Sequence, residues 1–204
     1  MRTRTRQAVA GLTVAGVLGL GVALGASLQG DGRAAASVAA PGPVDIGFSQ
    51  DMIVHHEQAV LMAQLVRGRT ADPRVAALAA GIEDDQLLEI GTMRGWLALW
   101  GAPTLPAGAP MTWMTGSTRR MTTMPGMATA AELDSLRTAH GTALDLTFLQ
   151  LMLRHHNGGL PMLTDAGTRA GLPVVRGLAQ RMAFTQREET RTILGLLNSV
   201  RPRS

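Results

Sequence analysis

From residue 48 to 66, Phe48, Met52, His55, Ala59, Met62 and Val66 recur in steps of four, three, four, three and four. That rhythm draws one stripe along a helix face. "RGRTADP" interrupts it, and Pro73 stops the pattern. A second stripe resumes with Val75 and Leu78, then runs through Ile82, Gln86, Glu89, Met93, Trp96 and Trp100. The spacing predicts a helical hairpin. A second hairpin is predicted by Phe148, Met152, His155, Gly159, Met162 and Ala166, followed by Met182, Gln186, Glu189, Ile193, Leu196 and Val200.

The second hairpin is a copy of the first. Shifted by one hundred residues without a gap, Asp45, Phe48, Gln50, Met52, His55, His56 and Met62 match Asp145, Phe148, Gln150, Met152, His155, His156 and Met162. Pro73, Val75, Leu78, Ala79, Gln86, Glu89, Gly95 and Leu97 recur in the same way. About a third of the positions from 45 to 97 are identical, which marks a tandem duplication. Two amphipathic hairpins predict an all-α, pseudo-twofold four-helix bundle. Its expected extent is 44–200: unit one at 44–100, a Met-rich linker at 101–128 and unit two at 129–200. Thr129, three residues before Glu132, forms a capping box and predicts a short accessory helix leading into unit two. Gly158, Gly159 and Pro161 are expected to weaken or kink the helix just past its histidines.

Before the bundle, "MRTRTR" precedes an uncharged run from Ala8 to Leu28. About 21 such residues suffice to cross a hydrocarbon core as a helix. The arginines in front of them point the remaining chain out of the cytoplasm. A membrane anchor and a cleaved signal peptide over 1–28 are both consistent with this, the latter using small residues in "AAASVAA". Residues 29–43 read as a flexible tether. Both alternatives place the bundle outside the cytoplasm.

Composition then narrows the chemistry. The chain has 204 residues, no Cys, 5 His and 12 Met. Thiolate sites and disulfides are excluded, which leaves imidazole, thioether and carboxylate as metal ligands. The high pI comes largely from Arg2, Arg4, Arg6 and Arg33. From Pro41 onward the net charge is only about +1, too little for a nucleic-acid-binding surface.

The stripes are polar where they should be most apolar. His55 and His155 lie mid-stripe on the first helix of each unit, with His56 and His156 flanking them. Gln86, Glu89, Gln186 and Glu189 lie mid-stripe on the second helices. Met52 and Met152 sit one turn before each His pair. Buried imidazoles and carboxylates must be paired or bind a metal. One reading is a hydrogen-bonded network that fixes register. The other is a metal centre in which Glu89 and Glu189 ligate the ion or hold the residues that do. The linker adds Met111, Met114, Met121, Met124 and Met127 in "PMTWMTGSTRRMTTMPGM", a stretch with no helical rhythm to justify burying them. Thioether plus imidazole without thiolate favours copper, Cu(I) above all. The competing reading packs a Met-rich loop over the bundle mouth.

"DIGFSQDMIVHHEQAVLMA", "GIEDDQLLEIGTMRGWL" and "MPGMATAAELDSLRTAHGTALDLTFLQLMLRHHNGGLPML" together resemble the bacterial domain-of-unknown-function family 305. The likeness extends over about Val44 to Leu197. It implies a ferritin-like four-helix bundle related to copper metallochaperones. As candidate copper ligands it implies Met52, His55, His56, Met62, Met124, Met127, Met152, His155, His156 and Met162. Pro161, and Asn157 where unit one has Glu57, depart from strict equivalence of the halves.

Three functions compete. The first is an extracytoplasmic copper binder that sequesters or transfers the ion, anchored to the membrane if its amino-terminal helix is uncleaved. The second is a dinuclear metal oxidoreductase, for which iron is the less favoured cofactor, because such sites use Glu-x-x-His on helices and this chain does not. The third is a structural or interaction bundle. No nucleophile elbow or triad motif is present, so no catalytic residue is expected. His140 reads as a surface residue near a helix end.

Overall fold

A computed structural model describes residues 39–114 and 122–200 of the chain. Among these residues there are five helices and no strand: α1 (Pro43–Val66), α2 (Pro73–Leu99), α3 (Ala130–Thr138), α4 (Gly141–Arg169) and α5 (Pro173–Val200). The segment expected to be a membrane or signal helix, 1–28, lies outside the described residues. Of the described helices, none is long and apolar enough to cross a membrane.

Helix boundaries follow local chemistry. Pro43, Pro73 and Pro173 open their helices at the position where a missing N–H costs nothing. Asp72 caps α2 by accepting from Arg74 N–H at 2.9 Å. The Thr129–Glu132 capping box is present and starts α3. His140 is exposed at the N-cap of α4, as its sequence position suggested.

α1 packs on α2 and α4 packs on α5, giving two hairpins that meet through α1 and α4. The core consists of two apolar clusters. One joins Phe48, Met52 and Ile53 from the start of α1 to Met162, Leu163 and Ala166 from the end of α4. The other joins Ala59, Met62 and Val66 from the end of α1 to Leu144, Phe148 and Met152 from the start of α4. α1 and α4 therefore run antiparallel, and their histidines fall where the clusters meet. Asp45 ties the hairpins together at one end. Its carboxylate accepts from Gly42 N–H at 2.7 Å, Gly171 N–H at 3.1 Å and Leu172 N–H at 2.9 Å. The charge satisfies both the first turn of α1 and the connection from α4 to α5.

α4 runs through the Gly158–Pro161 stretch without a break, helical from Gly141 to Arg169. Pro161 lies on an exposed face, where the carbonyl it leaves free can turn to water. Gly158 and Gly159 also serve close contact, as described below. One expectation needs correction: the described part of the linker is not a run of exposed methionines. Met111 and Met124 are buried, and Met114 and Met127 pack against the same cluster. The burial comes from tertiary contact, which helical periodicity does not report. Met121 lies outside the described residues.

A latch holds this linker to α1. Asp51 is buried, and its Oδ2 accepts from Met111 N–H and Trp113 Nε1–H, both at 2.7 Å. Trp113 then lies edge-on to Phe48, with ring centroids 5.8 Å apart. Burial pushes the Asp51 carboxyl above its ordinary range, against the pull of these two donors. Both bonds go to one oxygen, and Oδ1 has no partner. Asp51→Asn should therefore keep both bonds and change stability by less than about 1 kcal/mol, whereas Asp51→Ala should cost about 2 kcal/mol by stranding two donors. Urea unfolding of the two variants checks this; equal losses would mean that the hydrogen bonds do not matter.

Candidate metal centre

α1 and α4 cross at their His-His pairs, and all four rings are fully buried. His56 and His156, expected to flank the stripe, are as deep as His55 and His155. The His55 and His155 rings lie with centroids 3.8 Å apart, tilted by 35°. His155 Nε2 donates to the His55 backbone carbonyl at 2.9 Å. One unit's ring is thus hydrogen-bonded to the other unit's backbone.

The second helices supply the outer partners. Glu89 on α2 meets His56 Nε2 at 2.8 Å, and Glu189 on α5 meets His156 Nε2 at 2.6 Å. Both carboxylates are part-exposed, so each links a dry imidazole to the surface. Asp85 lies near both. Its carboxyl is raised first by desolvation, then by the charges of Glu189, Glu89 and Asp84. Gln86 and Gln186, one turn earlier, are buried with both amide atoms unpartnered.

His55 lacks the equivalent carboxylate and uses the linker. Its Nε2 meets the Pro125 carbonyl of "MPGM" at 3.1 Å. That turn lies on α4 through two glycines. A Cβ on Gly158 would stand 2.3 Å from the Pro125 oxygen and 2.5 Å from Gly126 N. Gly126 has φ +83°, a conformation that disfavours side chains, and a Cβ there would stand 2.6 Å from the Arg154 carbonyl. Gln58 clamps the same turn, accepting from Ala128 N–H and donating to the Ala128 carbonyl at 2.9 Å.

The electrostatics at His55 and His155 are those of neutral rings. Burial holds the His55 imidazole down to about 3, helped by the neighbouring His56 and His156 and opposed by its bond to Pro125. His155 is held well below its ordinary 6.5, first by burial and then by His55, His156 and His56. Nδ1 of each of the four histidines is buried without a partner. A buried polar atom left unpaired is costly. Four such atoms lie on the two His-His pairs, nitrogen atoms of the type that borderline metal ions take as ligands.

The sequence-predicted residues do not all converge. His55, His56, His155 and His156 are brought together, with Glu89 and Glu189 holding two of them. Met52 and Met162 are buried in one cluster, Met62 and Met152 in the other. Met124 and Met127 line a cavity of about 310 Å³ beside Asp51 and Gln58 on α1. Among the described residues, no three His, Cys, Asp or Glu side chains are grouped to hold one ion. Sequence reasoning missed Asp51, the Pro125 carbonyl, and the use of Gly126 and Gly158 as contact points. The glycines in "MPGM" and "HHNGG" were the available signal.

The fold and the layer define a helical bundle built by duplication, with histidines stacked across its pseudo-twofold axis. A family model, "Domain of unknown function (DUF305)", matches residues 45–197, and the chain belongs to this family. A DUF305 protein from Streptomyces coelicolor is 41% identical over 77% of this chain and 92% of its own, with a TM-score of 0.71. A DUF305 fragment from Deinococcus radiodurans is 31% identical over 79% of this chain and 99% of its own, with a TM-score of 0.65. CopM in its Cu(II)-bound form is 25% identical over 76% of this chain and 96% of its own, with a TM-score of 0.61. The Cu(I)-bound form of CopM, at 24% identity and a TM-score of 0.60, shares the fold. No curated protein matches the chain.

Proposed function

We propose that the protein binds copper in the histidine layer and sequesters or transfers it outside the cytoplasm, without catalysis. The observation that carries this reading is the set of four dry imidazoles with unpartnered Nδ1 atoms at the α1–α4 crossing. Ligands of this kind favour a soft or borderline ion in a chain that has no thiolate. CopM, which shares the fold, has been seen with Cu(I) and with Cu(II). The apolar, Arg-led amino-terminal segment supports an extracytoplasmic address as anchor or signal.

A dinuclear oxidoreductase is less well supported. Glu89 and Glu189 are each engaged by a histidine Nε2. They are two carboxylates on separate helices from the histidines, whereas di-metal bundle sites use four, two of them in Glu-x-x-His.

Competition titration with Cu(I) tests the proposal. Replacing His55, His56, His155 and His156 together should lower affinity by at least about a hundredfold. Retained helicity by circular dichroism would show that the variant folds. Unchanged affinity in a folded variant would sink the proposal.

A further inference from the structure

Every Nε2 atom in the layer faces a group that only accepts. For His55 and His155 the partners are the carbonyls of Pro125 and His55. For His56 and His156 they are the carboxylates of Glu89 and Glu189. A carbonyl or an ionised carboxylate has no proton to give, so each ring must supply it from Nε2. Burial holds His55 and His155 neutral, and a neutral imidazole carries one N–H, so on these two rings Nδ1 is a bare lone pair. Lone pairs cannot hydrogen-bond to one another. Hence these two Nδ1 atoms, both buried and unpartnered, share one need for an electrophile.

The amides beside them break the symmetry. A Cβ built on Gly159 would stand 3.1 Å from His55 Cε1, 3.3 Å from Gln186 Oε1 and 3.6 Å from His55 Nδ1. His55 and Gln186 thus converge on the backbone of α4 in space that exists because residue 159 has no side chain. The matching residue of unit one is Ala59, which carries that carbon. Gln186 is 3% exposed, and neither its oxygen nor its nitrogen has a partner.

We infer that the layer presents Nδ1, never Nε2, to its cation, and that Gln186 joins His55 in the binding site on the Gly159 side. This rests on the copper reading above. The ligand class is a soft monovalent cation, Cu(I) or its air-stable stand-in Ag(I), taken by the imidazole nitrogens, with the Gln186 amide as a weak supporting group beside them. Glu89, Glu189 and the Pro125 carbonyl are positioning groups: they fix the tautomer of the rings without touching the ion.

Nitrogen NMR of the 15N-histidine-labelled full chain reads the tautomer of each ring directly. In the metal-free protein the buried rings should carry their proton on Nε2. Added Ag(I) should shift Nδ1 resonances and leave the Nε2 protons in place. A proton on Nδ1 of His55 or His155, or silver displacing Nε2–H, overturns the inference while leaving copper binding intact. If silver and Cu(I) perturb no histidine, both readings fall. Gln186→Leu and Gly159→Ala should each weaken Ag(I) binding about tenfold or more, as loss of supporting groups does. Alanine favours helix over glycine, and the crowded atoms belong to side chains, so Gly159→Ala is expected to fold. Unchanged affinity in both variants removes Gln186 from the site, whatever the NMR shows for the rings.

Discussion

Replacing Gly158 by alanine should cost about 3 kcal/mol of stability, although alanine is the better helix former by about 1 kcal/mol. The new Cβ would stand 2.3 Å from the Pro125 oxygen and 2.5 Å from Gly126 N. Both are backbone atoms, so no rotamer change relieves the overlap. The "MPGM" turn must lift, and His55 Nε2 then loses its acceptor. Gly95 supplies the control. It is helical, exposed and has nothing within 4 Å of a built Cβ, so the same substitution there should stabilise by up to about 1 kcal/mol. Urea unfolding of the two variants compares them directly. A stabilised Gly158→Ala would show that the turn does not rest on α4.

Acid should destabilise the metal-free protein well above the pH at which carboxylates protonate. Unfolded histidines take protons near 6.5, whereas His55 in the folded state does so only near about 3, and His155 also lies well below 6.5. Between those limits the unfolded chain binds more protons, so stability falls as pH falls. At about 1.4 kcal/mol per pH unit below its unfolded value, His55 contributes about 2 kcal/mol from pH 7 to 5, and His155 acts in the same direction. Above pH 7 the contribution is flat, because both states are then neutral. Denaturation midpoints measured at several pH values check the slope. A flat profile between pH 7 and 5 would mean that the rings are charged in the folded state or reach water.

Much of this architecture was legible in the sequence. The step-of-three-and-four stripes gave the four long helices, because most of the stripe residues are the ones each helix turns into the core. The one-hundred-residue repeat gave their pairing. The Thr129 capping box gave α3, a purely local signal. The polar layer showed itself as His, Gln and Glu in positions where leucine would be expected. The linker was harder to read. Met111 and Met124 are buried because Asp51 and Gln58 hold the chain against α1, across separations of 60 to 70 residues that no local pattern encodes. Gly158 and Gly159 were ambiguous for a related reason. In sequence, a glycine that weakens a helix and one that admits a neighbour look the same. The exposed ends of the layer, where Glu89 and Glu189 turn from stripe positions toward the surface, depend on how α2 and α5 are rotated in the bundle.

Neither apolar cluster belongs to one hairpin: each takes the start of one long helix and the end of its counterpart. A lone hairpin would leave half of each cluster facing water, and its mid-helix ring without the one it stacks on. Two identical hairpins meeting about the same axis would restore both. The arrangement is that of a homodimer fused into one chain. A fused pair, unlike two separate copies, need not keep its halves identical. This explains how, once the copies were joined, one could keep Ala59 while the other held Gly159.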